Sequence, residues 1–209
     1  MNAKQLLQHY LDECPLIAII RGVTPDEAEA IGEAIYEGGI RIIEVPLNSP
    51  DPLASIEGLA QRFGEQMLVG AGTVLRVDDV IRVRDCGGRI IVSPDTNVDV
   101  IRAAADSGLV SNPGYFTPSE AFAAIRAGAT ALKLFPAEGA SPALLKAQLA
   151  VLPSDVPYFA VGGIKPDNMR PWLEAGATGF GLGGGLYKRG QSPADTLEKA
   201  RAYVAGLKA

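Results

Sequence analysis

Apolar and polar positions along the chain keep two rhythms in turn. Short β-branched runs alternate with longer stretches in which apolar residues recur at helical spacing. The short runs are LIAIIRG (16–22), RIIEVPL (41–47), MLVGAGTV (67–74), RIIVSPD (89–95), LVSNPG (109–114), ALKLFPA (131–137), PYFAVGG (157–163) and TGFGLGGG (178–185), eight candidate strands in all. Between them lie amphipathic stretches such as TPDEAEAIGEAIYEGG, TPSEAFAAIRAGA, KPDNMRPWLEAGA and SPADTLEKARAYVAGLKA. Each begins on a capping residue or proline, and several close on glycine, as helices do. A further amphipathic helix, MNAKQLLQHYLDEC, precedes the first strand. The repeat of roughly 20 to 25 residues is one βα unit, and eight right-handed crossovers close into a barrel. The predicted fold is therefore α/β, a (β/α)8 TIM barrel with an additional N-terminal helix. With no Ser/Gly/Pro-rich linker, residues 1–209 read as a single barrel domain. A doubly wound open sheet is the alternative, disfavoured by the absence of a GxGxxG fingerprint and of a topological break.

Proline placement marks the functional end of such a barrel. Pro46, Pro94, Pro113 and Pro136 stand at or near the C-terminal ends of candidate strands, where a ladder stops without losing an internal hydrogen bond. Barrel active sites sit at that face. Strand alternation puts Ala131, Lys133 and Phe135 on one face and Leu132 and Leu134 on the other. The aliphatic face belongs against the helices, which turns Lys133 into the barrel. By the same rule Ile42, Glu44 and Pro46 point inward. A lysine stem can be buried while its head snorkels to solvent. A lysine whose head is buried must be paired or become a neutral amine, and a neutral amine attacks ketones. A buried Lys133 and Glu44 form either a structural ion pair or a nucleophile with its acid/base partner.

The runs AVGGIKPDN and GFGLGGGLY place Gly162, Gly163, Gly183, Gly184 and Gly185 in the loops after the seventh and eighth strands. In barrels these loops form the usual phosphate site from backbone N–H groups, although glycine also serves tight turns that bind nothing. Arg21 ends the first strand and Thr73 the third, within reach of a substrate carboxylate or phosphate; a salt-bridged arginine and a capping threonine are the structural alternatives. His9, the single histidine, lies on the first helix. Without a histidine or carboxylate cluster at the strand ends, a zinc-dependent mechanism has no support, and no metal site is expected. Trp172 and Tyr10 read as packing residues, and Lys188 with Arg189 as a solvated turn.

Composition narrows the partners. With 47% hydrophobic and 21% charged residues the chain is an ordinary globular protein. A net charge of -5 gives no basic face for nucleic acid. Cys14 and Cys86 lack metal-ligand or redox spacing and read as free thiols in a reducing compartment. No secretory leader or bilayer-length apolar run is present, so no membrane partner and a cytoplasmic location are expected.

In order, IIRG around Arg21, EVPLNSP from Glu44, GAGTV around Thr73, KLFPA from Lys133, VGGI and GLGGG span nearly the whole chain. Together they resemble the class I aldolases that cleave 2-keto-3-deoxy-6-phospho sugar acids. The resemblance implies a homotrimeric (β/α)8 barrel with Lys133 as Schiff-base lysine, Glu44 as general acid/base, and Arg21 and Thr73 as substrate ligands. It implies phosphate contacts from Gly162, Gly163, Gly183 and Gly184. Its ligands would be a phosphorylated keto acid, pyruvate and glyceraldehyde 3-phosphate, with no cofactor. The chain looks more like the branch acting on the galactonate epimer than the gluconate branch. The latter usually carries Thr-Leu-Arg-Thr where this chain has Pro46, Leu47, Asn48 and Ser49, and Pro-Thr-Gly-Gly where it has Ala160, Val161, Gly162 and Gly163. Val161 lacks the hydroxyl that would bond a substrate hydroxyl, a change able to alter preference at C4. Relatives often have serine at Gly184, so a side-chain phosphate contact is lost here. A phosphosugar isomerase using Glu44 as base, or a non-catalytic sugar-phosphate binder, are the other functions such a barrel supports.

Overall fold

Parallel pairing runs through a single sheet in the computed structural model, which describes residues 1–208. Its strands are β1 (Leu16–Ile19), β2 (Ile42–Pro46), β3 (Leu68–Gly72), β4 (Ile90–Val92), β5 (Val110–Asn112), β6 (Gly114–Tyr115), β7 (Leu132–Leu134), β8 (Tyr158–Val161) and β9 (Gly179–Leu182). They are ordered β5-β4-β3-β2-β1-β9-β8-β7-β6. The two outermost members, β5 and β6, are consecutive in the chain and separated only by Pro113, which has no N–H to give the ladder. Backbone bonds from Ala131 to Ser111 (3.1 Å), Lys133 to Pro113 (2.9 Å) and Phe135 to Tyr115 (3.1 Å) carry the pairing past the break. The sheet thus closes on itself as a (β/α)8 barrel whose fifth strand is β5 plus β6. Pro113 therefore lies inside that strand, two residues from its end, and the ladder continues past it, whereas the sequence pattern placed it at or near the point where the ladder stops. Its carbonyl still accepts a ladder bond, so only the donor side is interrupted.

Period-2 alternation divides the buried residues into two cores. Ile43, Val45, Val69, Leu132, Leu134 and Phe180 face outward and pack beneath the helices. Ile17, Ile42, Leu68, Ile90, Val110, Ala131 and Phe159 face inward. The inner core is sealed at the strand starts by Leu6, Leu7, Tyr10 and Leu11 of the helix Ala3–Glu13. A reciprocal cap fixes that helix: Asn2 accepts from the Gln5 N–H at 2.9 Å, and Gln5 accepts from the Asn2 N–H at 3.0 Å. The Tyr10 hydroxyl donates to the Glu65 carbonyl at 2.7 Å. With one end plugged, polar chemistry is confined to the other end, where the strands finish.

The helices opening at Thr24, Thr117 and Ser192 start where the sequence says they should, whereas KPDN forms a turn and its helix begins only at Met169. Thr24 and Thr117 form capping boxes with Glu27 and Glu120, each followed by a proline in the first turn. These short, well-capped connections hold the strand ends at a common level.

Candidate active site

A cavity of about 610 Å3 opens at the C-terminal end of the barrel. All the site residues expected from the sequence line it: Arg21, Glu44, Thr73, Lys133, Val161, and the glycines at 162, 163, 183 and 184.

Glu44 and Lys133 stand at its floor. Glu44 is 2% exposed and Lys133 6% exposed. Glu44 owes its seat to Gly72 on the neighbouring strand, because a methyl group at Gly72 would overlap all three atoms of the Glu44 carboxyl. Oε2 of Glu44 has no hydrogen-bond partner within the protein. Burial pushes its pKa up to about 7, against the opposing attraction of Lys133 and Arg21. Burial likewise pushes the Lys133 amine below the ordinary lysine range, opposed by Glu44 and reinforced by Arg21. Among the described residues no ion pair within 4.0 Å joins the two groups. The Lys133 Nζ instead lies 4.5 Å from the centroid of the Phe135 ring. Desolvation therefore favours the neutral amine beside the neutral acid, which holds the same number of protons as the ion pair. That is the form in which an amine adds to a carbonyl and an acid helps water depart.

Arg21 is exposed and lies in the turn that follows β1, two residues past its last strand residue. It is neither snorkelling freely nor salt-bridged: its guanidinium bonds the Asn48 side-chain oxygen and lies 3.4 Å from the Thr73 hydroxyl. Thr73 has φ +55°, an uncommon conformation for a β-branched residue and one that concentrates at functional sites. Asn48 and Thr73 thus hold the arginine over the cavity with its remaining donors free for an anion.

On the opposite wall Gly162 (φ +112°) and Gly163 (φ +66°) adopt backbone that L side chains avoid, so glycine is required there. Gly183 and Gly184 differ from these two, since neither has left-handed backbone. A side chain at either would meet nothing within 4 Å, so space alone does not demand glycine there. Val161 is buried at the end of β8 and presents an apolar surface between this wall and Lys133.

Several lining residues escape a reading of the chain. Lys188 and Arg189 are exposed, as a solvated turn should be, yet they stand at the cavity rim with Lys165. Glu138, in the 3-10 turn Ala137–Gly139, folds against Gly162 and Gly163: a methyl group at Gly162 would lie 2.9 Å from its Oε2. His9 is exposed and 3.9 Å from Glu13, remote from the cavity. Tyr10 and Trp172 are buried packing residues. Among the described residues no group of three or more His, Cys, Asp or Glu is disposed to hold a metal ion, and no helix is long and apolar enough to cross a membrane.

Comparison with known proteins adds to this geometry. The family model for KDPG and KHG aldolase matches residues 7–199. A 2-dehydro-3-deoxy-6-phosphogalactonate aldolase of Escherichia coli (strain K12) is 46% identical over 190 residues, covering 91% of this chain and 93% of the relative. A probable 2-dehydro-3-deoxy-6-phosphogalactonate aldolase of Rhizobium meliloti (strain 1021) is 48% identical over 197 residues, covering 94% of this chain and 93% of the relative. A solved structure described as native KDPGal superposes with a TM-score of 0.92 at 45% identity, covering 94% of this chain and 95% of that one.

Proposed function

This chain belongs to the KDPG and KHG aldolase family, and on that premise we propose that it cleaves 2-dehydro-3-deoxy-6-phosphogalactonate to pyruvate and D-glyceraldehyde 3-phosphate. The observation that carries the reading is the buried Lys133 amine, driven toward its neutral form, beside a buried Glu44 carboxyl.

In the proposed mechanism the Lys133 amine adds to the C2 ketone. Glu44 gives its proton to the departing hydroxyl, and loss of water leaves an iminium. The Glu44 carboxylate then takes the proton of the C4 hydroxyl. The C3–C4 bond breaks, its electrons pass into the iminium to give an enamine, and glyceraldehyde 3-phosphate leaves. Glu44 returns its proton to C3, water adds to the restored iminium, and pyruvate and the free amine are released as the remaining proton passes back to the Glu44 carboxylate. No cofactor takes part. Arg21, held by Asn48 and Thr73, binds the substrate carboxylate. The backbone N–H groups at Gly162, Gly163, Gly183 and Gly184 bind the phosphate. Val161 offers no hydrogen bond near the reacting carbons, which supports the galactonate epimer over the gluconate epimer.

Residues 1–209 act in this reading as one catalytic barrel domain that assembles as a homotrimer in the cytoplasm. Leu75 (47% exposed), Val77 (41%) and Ile81 (36%) supply the support for assembly, as an apolar patch at the start of the helix Val77–Asp85. Both cysteines are free thiols, in keeping with a reducing compartment.

The test is to supply each C4-epimeric phosphorylated keto acid and follow pyruvate release. A higher kcat/KM on the galactonate epimer is expected. A preference for the gluconate epimer overturns the substrate assignment, and pyruvate from neither overturns the reaction.

A further inference from the structure

We propose that Tyr203 is a positioning residue that fixes the two glycine loops relative to each other and thereby sets the affinity for the phosphate end of the substrate. The inference rests on the phosphate reading of those loops given above. Tyr203 lies on the C-terminal helix Pro193–Gly206 and is 3% exposed. It is not among the residues lining the catalytic cavity, so it acts through others and does not touch substrate. Its hydroxyl donates to the Ile164 carbonyl at 2.9 Å, in a buried bond to the residue that directly follows Gly162 and Gly163. The same oxygen faces Gly185, the residue that directly follows Gly183 and Gly184. A methyl group built on Gly185 would overlap the hydroxyl, and the Ile164 carbonyl would lie 3.5 Å from it. One phenol oxygen therefore sits between the two halves of the cradle.

Among the described residues no backbone hydrogen bond does this work. The pairing between β8 and β9 ends at Val161 with Gly181. Beyond it each loop is bonded within itself. Asn168 donates to the Gly163 carbonyl at 2.9 Å, and Leu186 donates to the Gly183 carbonyl at 2.9 Å. Among the described residues no backbone hydrogen bond joins 162–165 to 183–187. A dianion bridging both loops needs their N–H groups at one fixed spacing, because a misplaced donor loses most of a charge-assisted bond. The absent side chain at Gly185 is what lets Tyr203 reach between them. That explains a glycine at a position where the backbone is not left-handed.

Tyr203→Phe keeps the ring and removes the oxygen. KM for the phosphorylated keto acid and the inhibition constant of inorganic phosphate should both rise about fivefold, the equivalent of one buried hydrogen bond. Turnover at saturation should change by less than about twofold, and the rate of borohydride trapping with pyruvate, which has no phosphate, should stay at the wild-type value. Gly185→Ala gives an independent check. It should weaken phosphate binding in the wild-type background and do so much less in the Tyr203→Phe background, where the hydroxyl it collides with is gone. Additive effects of the two substitutions overturn the proposal. So does an equal loss of pyruvate trapping, which marks a general structural role. If Tyr203→Phe moves neither constant, the positioning role is wrong while the aldolase reading stands. If inorganic phosphate fails to inhibit the wild-type enzyme, the phosphate reading itself fails and this inference with it.

Discussion

Glu44→Gln separates what the carboxyl contributes to catalysis from what it costs the fold. Folding carries the group to a site where it is 2% exposed and where Oε2 has no partner in the protein. Its pKa rises there from an ordinary 4.5 to about 7. The difference, 7 minus 4.5, is worth about 3 kcal/mol at 1.36 kcal/mol per unit. Because the folded state holds the proton more tightly, it binds more protons than the unfolded chain between pH 4.5 and 7, and stability falls as pH rises through that window. Glutamine has the same size and no charge to desolvate. Lys133 loses an attractive partner in the variant and moves further toward the neutral amine, which trims the gain at pH 8 to roughly 1 to 2 kcal/mol. For a chain of this length that is a rise in Tm of about 3 to 6 °C. At pH 5, where the native carboxyl is already protonated, the two proteins should melt nearly together. Cleavage should fall by about 10^2- to 10^4-fold with loss of the proton carrier. Thermal unfolding of both proteins at pH 5 and pH 8, with activity measured alongside, decides the matter. A variant that is less stable than wild type at pH 8, or a difference that ignores pH, would make Glu44 a stabilising ion-pair member instead.

Three other substitutions probe separate parts of the site. Gly72→Ala collides with the Glu44 carboxyl and should cost about 1 to 3 kcal/mol in denaturant unfolding along with most activity; a silent substitution would mean that Glu44 is not confined by Gly72. Gly184→Ser enters open space without a backbone penalty. It should tighten inhibition by inorganic phosphate by about three- to tenfold through one added hydrogen bond to an anion, whereas unchanged inhibition removes Gly184 from the phosphate site. Leu75→Glu puts a charge into the exposed apolar patch and should yield monomers in sedimentation, while an unaltered oligomer shows that the interface lies elsewhere.

How much of this was legible in the chain depended on the range of the cause. Lys133 and Glu44 turn inward for a local reason, the two-residue period that also carries Ala131 and Ile42 to the inner core. The helix starts at Thr24 and Thr117 are likewise written within four residues. At Pro113 a missing donor suggests that the ladder stops, whereas here the carbonyls of Ser111 and Pro113 carry the pairing on to Tyr115. The reason for Gly72 is visible only once β2 lies beside β3 in register. Glu138 against Gly162, and Tyr203 against Ile164 and Gly185, are meetings of segments far apart in the chain, and no periodicity announces them. Lys188 and Arg189 look like any solvated turn, and only the curvature of the closed barrel brings them over the cavity.

The most direct test of the chemistry is to incubate the protein with pyruvate and borohydride and locate the label by mass spectrometry. One reduced pyruvyl adduct per chain is expected, on Lys133, and its formation should slow as pH falls and the amine, lowered by burial, takes up its proton. No gain of mass, or an adduct on Lys165, Lys188 or any other lysine in place of Lys133, would contradict the Schiff-base mechanism.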